Sequence, residues 1–123
     1  MPKRVVIVDD SIDMRLLLRV YLEKRGVEIV GEAESLADGT RAVAESRPDA
    51  VVADAHLADT DDLDRIVAEL RDAAPDALII AFSAAPPSQG ARAAVLESTG
   101  AVAYLDKGDG IARLAGEVAD LLS

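Results

Sequence analysis

The polar residues of this 123-residue chain that could do chemistry stand at the ends of apolar runs. Asp9 and Asp10 follow "RVVIV" (4–8), Asp54 closes "AVVAD" (50–54), Ser83 closes "ALIIAFS" (77–83), and Lys107 lies two residues past "AVAYL" (101–105). Adjacent carboxylates at the end of a greasy strand repel each other. A third brought to the same place would raise the pKa of all of them unless a divalent cation replaced the missing protons. Mg²⁺ suits such a set, because it takes oxygen ligands, keeps several waters, and uses one or two carboxylates together with a phosphate oxygen. A carboxylate can also attack phosphorus to give an acyl phosphate, and a hydroxyl and an ammonium beside it would meet the new phosphoryl oxygens. Each residue has a plainer reading too. Asp9 and Asp10 could sit at a helix N-terminus, gaining about 0.3–1 kcal/mol from its dipole. Asp54 could be a turn residue, Ser83 a cap, and Lys107 a solvated surface charge.

Bringing these residues together requires strands that all run one way. After the first strand, "IDMRLLLRVYLEKR" (12–25) reads as a helix stopped by Gly26, and "VEIVGEA" (27–33) as a second strand. Ser35 caps "LADGTRAVAES", with Leu36, Thr40, Val43 and Ala44 on one face despite a weakening Gly39. A third helix over 61–74, a fourth over "SQGARAAVLEST" and a last over 110–122 separate the remaining strands. Five strand–helix units with near-continuous apolar strands predict a single domain over 1–123 of α/β class, a doubly wound parallel sheet covered on both faces. In the flavodoxin-like (βα)5 order, 2-1-3-4-5, ligands bind at the carboxyl ends of strands 1 and 3. The carboxylates fall there.

Composition narrows the partners. The net charge of −10, from 23 acidic and 13 basic residues, argues against direct nucleic-acid binding, as does the scarcity of aromatics, which are Tyr21, Phe82 and Tyr104 alone. The absence of cysteine excludes disulfides and thiolate chemistry and suits a cytoplasmic protein. No apolar run approaches the roughly 18 residues a membrane span needs.

In order along the chain, "VDDS", "VVAD", "SA" after the fourth strand and "GAVAYLDK" resemble, from end to end, the receiver domain of bacterial two-component response regulators. That resemblance implies a self-catalysed phosphoacceptor switch rather than an enzyme. Asp54 would take a phosphoryl group from a phosphohistidine of a sensor histidine kinase or phosphotransfer protein. Asp9, Asp10 and Asp54, with the backbone carbonyl of His56, would hold Mg²⁺, Asp10 directly and Asp9 largely through water. Ser83 would be the switch hydroxyl, Lys107 the ammonium that pairs with the phosphoryl group, and Tyr104 the aromatic that turns inward. The face made by the fourth helix, fifth strand and fifth helix would then engage a downstream target or output domain, and a phosphorylation-linked homodimer is compatible with it. The rivals are a receiver-like adaptor indifferent to phosphate and a Mg²⁺-dependent phosphohydrolase. Against the latter, His56 stands where a second acid would protonate a leaving group.

The chain leaves the family pattern at three places. Ala58 and Asp62 replace a proline and a glycine after the phosphoacceptor, implying a less rigid loop, and Gly108 replaces the proline after the lysine, implying a less firmly held Lys107. The acids of "DTDDLD" (59–64) either add to cation attraction or start the third helix.

Overall fold

The computed structural model describes residues 2–123. The strands are β1 (Arg4–Val8), β2 (Glu28–Ala33), β3 (Ala50–Asp54), β4 (Leu78–Ser83) and β5 (Ala103–Asp106). The helices are α1 (Ile12–Lys24), α2 (Leu36–Ser46), α3 (Leu63–Ala73), α4 (Gln89–Thr99) and α5 (Ile111–Leu122), with a 3-10 turn over Lys107–Asp109. All strand pairs are parallel, and their order is β2-β1-β3-β4-β5. This is the doubly wound, flavodoxin-like architecture that the alternating pattern predicts.

Alternation of side chains along the strands divides the interior in two. Val6, Val8, Val51, Ala53 and Ile79 pack with α2 and α3, whereas Val5, Ile7, Val52, Ile80 and Phe82 pack with α1 and α5. Side-chain oxygens of Ser11, Ser35, Asp62 and Ser88 accept the backbone N–H three residues on, capping α1, α2, α3 and α4. Such a cap contributes about 1 kcal/mol. Asp62 therefore starts α3, as one reading of the acidic run expects, and the helix begins two residues later than 61.

The face of α2 differs from expectation. Leu36, Gly39 and Val43 are the buried positions, Thr40 is half-buried and Ala44 is exposed. A Cβ on Gly39 would lie 3.1 and 3.2 Å from the methyls of Val8, so the glycine lets α2 lie close against β1. β5 is also displaced, beginning at Ala103 and ending at Asp106, so that Lys107 follows the strand directly. Gly100, at φ 83°, caps α4, and the chain reaches sheet register only at Ala103, opposite Ile80.

Two helices leave much of themselves uncovered. α4 buries no residue fully, and α1 exposes Ile12, Leu16, Leu17 and Val20 at 70%, 58%, 44% and 41% while burying only Leu18 and Leu22. Among the described residues, no helix is long and apolar enough to cross a membrane.

Candidate functional site

Strand register alone gathers most of the polar residues. Val8 pairs with Ala53, so Asp9 leaves β1 beside Asp54 at the end of β3; Asp54 pairs with Phe82, and Ser83 pairs with Asp106 just before Lys107. One carboxylate oxygen from each of Asp9, Asp10 and Asp54 lies within 4.8 Å of the others. Asp9 and Asp54 are buried and Asp10 is exposed.

The Lys107 ammonium stands among them. Nζ donates to Asp54 Oδ2 at 3.0 Å and lies 2.9 Å from Asp9 Oδ2. The second contact is poorly aligned for a hydrogen bond, so the ammonium holds the buried Asp9 Oδ2 chiefly by charge. The remaining oxygens are held by the backbone: Ser11 N–H donates to Asp9 Oδ1 at 2.8 Å, and His56 N–H donates to Asp54 Oδ1 at 3.1 Å. Nζ also lies 4.6 Å from the centroid of the Phe82 ring, a cation–π distance.

Two buried acids share one cation, and the protonation equilibria follow. Burial pushes the Asp9 carboxyl above its ordinary value; the Ser11 N–H and Lys107 oppose that, and Asp54 adds to it. Burial is also the largest single influence on Lys107 and would lower its pKa, but the summed attraction of Asp9 and Asp54 carries it above the usual lysine value. The donor set fits a hard divalent cation: three clustered carboxylates, one with a buried oxygen that no well-aligned hydrogen bond satisfies, and no nitrogen or sulfur ligand among them.

The other predicted residues take these places. Ser83 is fully buried, and its hydroxyl accepts from Ala85 N–H at 3.1 Å. Tyr104 is half-buried on β5 and is not among the residues of either apolar core. His56 is exposed and meets Asp54 through its backbone.

Three supporting residues went unread in the sequence. Arg15 Nη1 donates to the Asp9 carbonyl at 2.6 Å, bracing the acidic turn from α1. Asp106 accepts from Gly108 N–H at 2.7 Å, an Asx turn of the kind that a D-x-G sequence favours. Asp59 accepts from Leu36 N–H at 2.8 Å and Ala37 N–H at 3.2 Å, and these bonds hold its carboxyl below the usual aspartate value. Nothing local in the sequence marks that tie.

A doubly wound α/β domain with clustered carboxylates and a partly buried ammonium at the switch point of its sheet is of the receiver class. The chain belongs to the response regulator receiver domain family, whose model matches residues 5–119. It is 36% identical over 98 residues to the chemotaxis protein CheY of Thermotoga maritima, covering 80% of this chain and 78% of that one. It is 31% identical over 107 residues to BvgA, the virulence-factor transcription regulator of Bordetella pertussis, covering 87% of this chain but only 50% of BvgA. Among solved structures, a LuxR-family two-component response regulator from Aurantimonas superposes with a TM-score of 0.85 at 27% identity, over 99% of this chain and 86% of that one.

Proposed function

We propose that this receiver domain accepts a phosphoryl group on Asp54 from a phosphohistidine of a sensor kinase or phosphotransfer protein, in a reaction that needs Mg²⁺. An Asp54 carboxylate oxygen attacks phosphorus, the new O–P bond forms as the N–P bond breaks, and the donor imidazole leaves with the electron pair. The observation that carries this reading is the pairing of a buried carboxylate with the Lys107 ammonium 3.0 Å away, beside an acid pair whose buried Asp9 Oδ2 meets the same ammonium at 2.9 Å. Mg²⁺ held by Asp9, Asp10, Asp54 and the His56 carbonyl would neutralise charge on the acids and on the phosphoryl oxygens. Lys107 holds the Asp54 carboxylate and then meets the transferred group, while Ser83, buried at the next strand end, is the hydroxyl available to it. Phosphorylation replaces the single charge of the Asp54 carboxylate with a phosphoryl group of roughly 1.5 to 2 negative charges and three acceptor oxygens, enough to redraw local hydrogen bonds and shift a two-state domain. The face of α4, β5 and α5 then carries the state to a downstream target or output domain, in the cytoplasm. The test is intact-mass spectrometry after incubation with acetyl phosphate, with and without Mg²⁺. A single Mg²⁺-dependent phosphoryl adduct is expected; a folded protein that binds Mg²⁺ but takes no adduct would favour the phosphate-independent adaptor.

The exposed stripe of α1 supports one docking direction for the donor. Ile12, Leu16 and Val20 recur every four residues beginning just past Asp10 and Ser11, and an apolar patch of that kind beside a site marks a partner surface. Leu16→Glu is expected to slow kinase-driven transfer about tenfold, the effect of losing about 1.4 kcal/mol at an interface. Labelling by acetyl phosphate should stay at the wild-type rate, because the small donor needs no docking. Equal slowing with both donors would remove α1 from the interface.

A further inference from the structure

The loop between Asp54 and α3, "AHLADTDD" (55–62), contains no proline to restrain its backbone. Ala55 N–H donates to the Phe82 carbonyl at 2.9 Å where the loop leaves β3, and Asp62 N–H donates to Thr60 Oγ1 at 3.1 Å within it; beyond these, its order comes from three ties. Leu57 N–H donates to the Thr60 carbonyl at 2.8 Å, closing a tight turn, and the Leu57 side chain is buried in the same apolar core as Leu36. Asp62 caps α3. The third tie is Asp59, at the tip of the turn, whose two carboxylate oxygens take the first two backbone N–H groups of α2, from Leu36 and Ala37. Among the described residues, Asp59 is the one side chain of this loop that hydrogen-bonds an element other than the helix the loop leads into.

α2 does not lack a cap of its own. Ser35 accepts from Asp38 N–H at 3.1 Å, so the helix already has the usual N-terminal device, and Asp59 takes the two donors that Ser35 leaves free. An anionic acceptor at a helix N-terminus makes short, charge-assisted bonds, which suits it to hold the loop in one place. What lies at the other end of that loop gives the tie a functional consequence. His56, three residues before Asp59, donates its N–H to Asp54 Oδ1 and so sets the rotation of the phosphoacceptor carboxylate.

We infer that Asp59 is a positioning residue for the phosphoryl and cation site, anchoring the His56 backbone and through it the Asp54 carboxylate to the N-terminus of α2. This rests on the receiver reading of Asp54. Asp59 touches neither the phosphoryl group nor the cation. It acts at the distance of one turn, supplying by hydrogen bonds the restraint that the loop's backbone lacks.

The test compares wild type with Asp59→Ala, Asp59→Asn and Ser35→Ala. For each, Mg²⁺ affinity is measured by titration with the His56 and Leu57 amide resonances as reporters, alongside a thermal melt and the initial rate of labelling by acetyl phosphate. Asp59→Ala is expected to weaken Mg²⁺ binding about tenfold, the low end of what loss of a supporting hydrogen bond costs a metal site, and to move both amide resonances. Asp59→Asn, which keeps an oxygen for Leu36 N–H, should recover most of that affinity. Ser35→Ala removes the other N-terminal cap of α2; it should lower the melting temperature and leave Mg²⁺ affinity at the wild-type value. Wild-type affinity and unmoved amides in Asp59→Ala, or an equal loss in Ser35→Ala, would overturn the positioning role while leaving the receiver reading intact. A wild type that neither binds Mg²⁺ nor takes a phosphoryl group would overturn the receiver reading, and the inference with it.

Discussion

Asp54→Asn is expected to take up no phosphoryl group from acetyl phosphate under conditions that label the wild type. The amide is nearly isosteric with the carboxylate, and its one oxygen can still accept from the Lys107 ammonium, 3.0 Å from Oδ2 in the wild type; its NH2 then faces the His56 N–H, so one local hydrogen bond is lost while the fold is kept. What disappears is the nucleophile, because a neutral amide does not attack phosphorus at neutral pH. The same substitution relieves the crowding of two buried acids around one cation, so the metal-free variant should melt no lower than the wild type. Mg²⁺ present at ten times its dissociation constant should stabilise the wild type by about 1.4 kcal/mol and the variant by much less. Thermal melts with and without Mg²⁺, run beside intact-mass spectra, read both effects. A phosphoryl adduct on the Asp54→Asn chain would remove the assignment of Asp54.

The legible part of this protein lay in the strand ends. In a parallel doubly wound sheet all carboxyl ends meet at one edge, so a polar residue closing each of four apolar runs reports its location as well as its type. Asp9, Asp10, Asp54, Ser83 and Lys107 could be placed together without coordinates for that reason. The illegible part is made of contacts between elements distant in sequence. Asp59 lies in a run of acids where the next helix alone accounts for Asp62, and its bonds to Leu36 and Ala37 span more than 20 residues. Gly39 reads as a helix defect until Val8 is found against it. Leu16 and Leu17 lie exposed on a helix that buries only Leu18 and Leu22, and the unbroken apolar run 16–18 does not say which of its residues faces the core. The expected looseness at Gly108 overlooked Asp106, which folds back on the Gly108 N–H, and Phe82, which lies under the ammonium.

Lys107→Ala tests the electrostatic balance of the site most severely. It removes the one ammonium contacting two buried carboxylates, and breaking a buried pair from one side costs about 3 kcal/mol of folding free energy at neutral pH. The pH dependence has a definite sign. Burial already raises the Asp9 carboxyl, and Lys107 opposes that rise, so the variant's Asp9 titrates higher still. A carboxyl whose folded pKa exceeds its unfolded one binds its proton first in the folded state, so the variant's stability climbs as pH falls through that raised pKa toward about 3.9. Its deficit relative to wild type is therefore largest near neutrality and narrows in mild acid. It narrows again in alkali. The folded pKa of Lys107 is raised, so the wild-type advantage is complete below about pH 10.4 and is lost as pH climbs through the higher folded value. Added Mg²⁺ should restore part of the neutral-pH loss, because a divalent cation supplies the charge that Asp9 and Asp54 lack, but it cannot restore the labelling rate. That rate should fall about a hundredfold, the effect of removing one fixed donor from the developing phosphoryl charge. Urea unfolding of both proteins across the acid and alkaline ranges measures the first effect, and a constant gap from mild acid to neutrality would show that Lys107 does not compensate the buried acids.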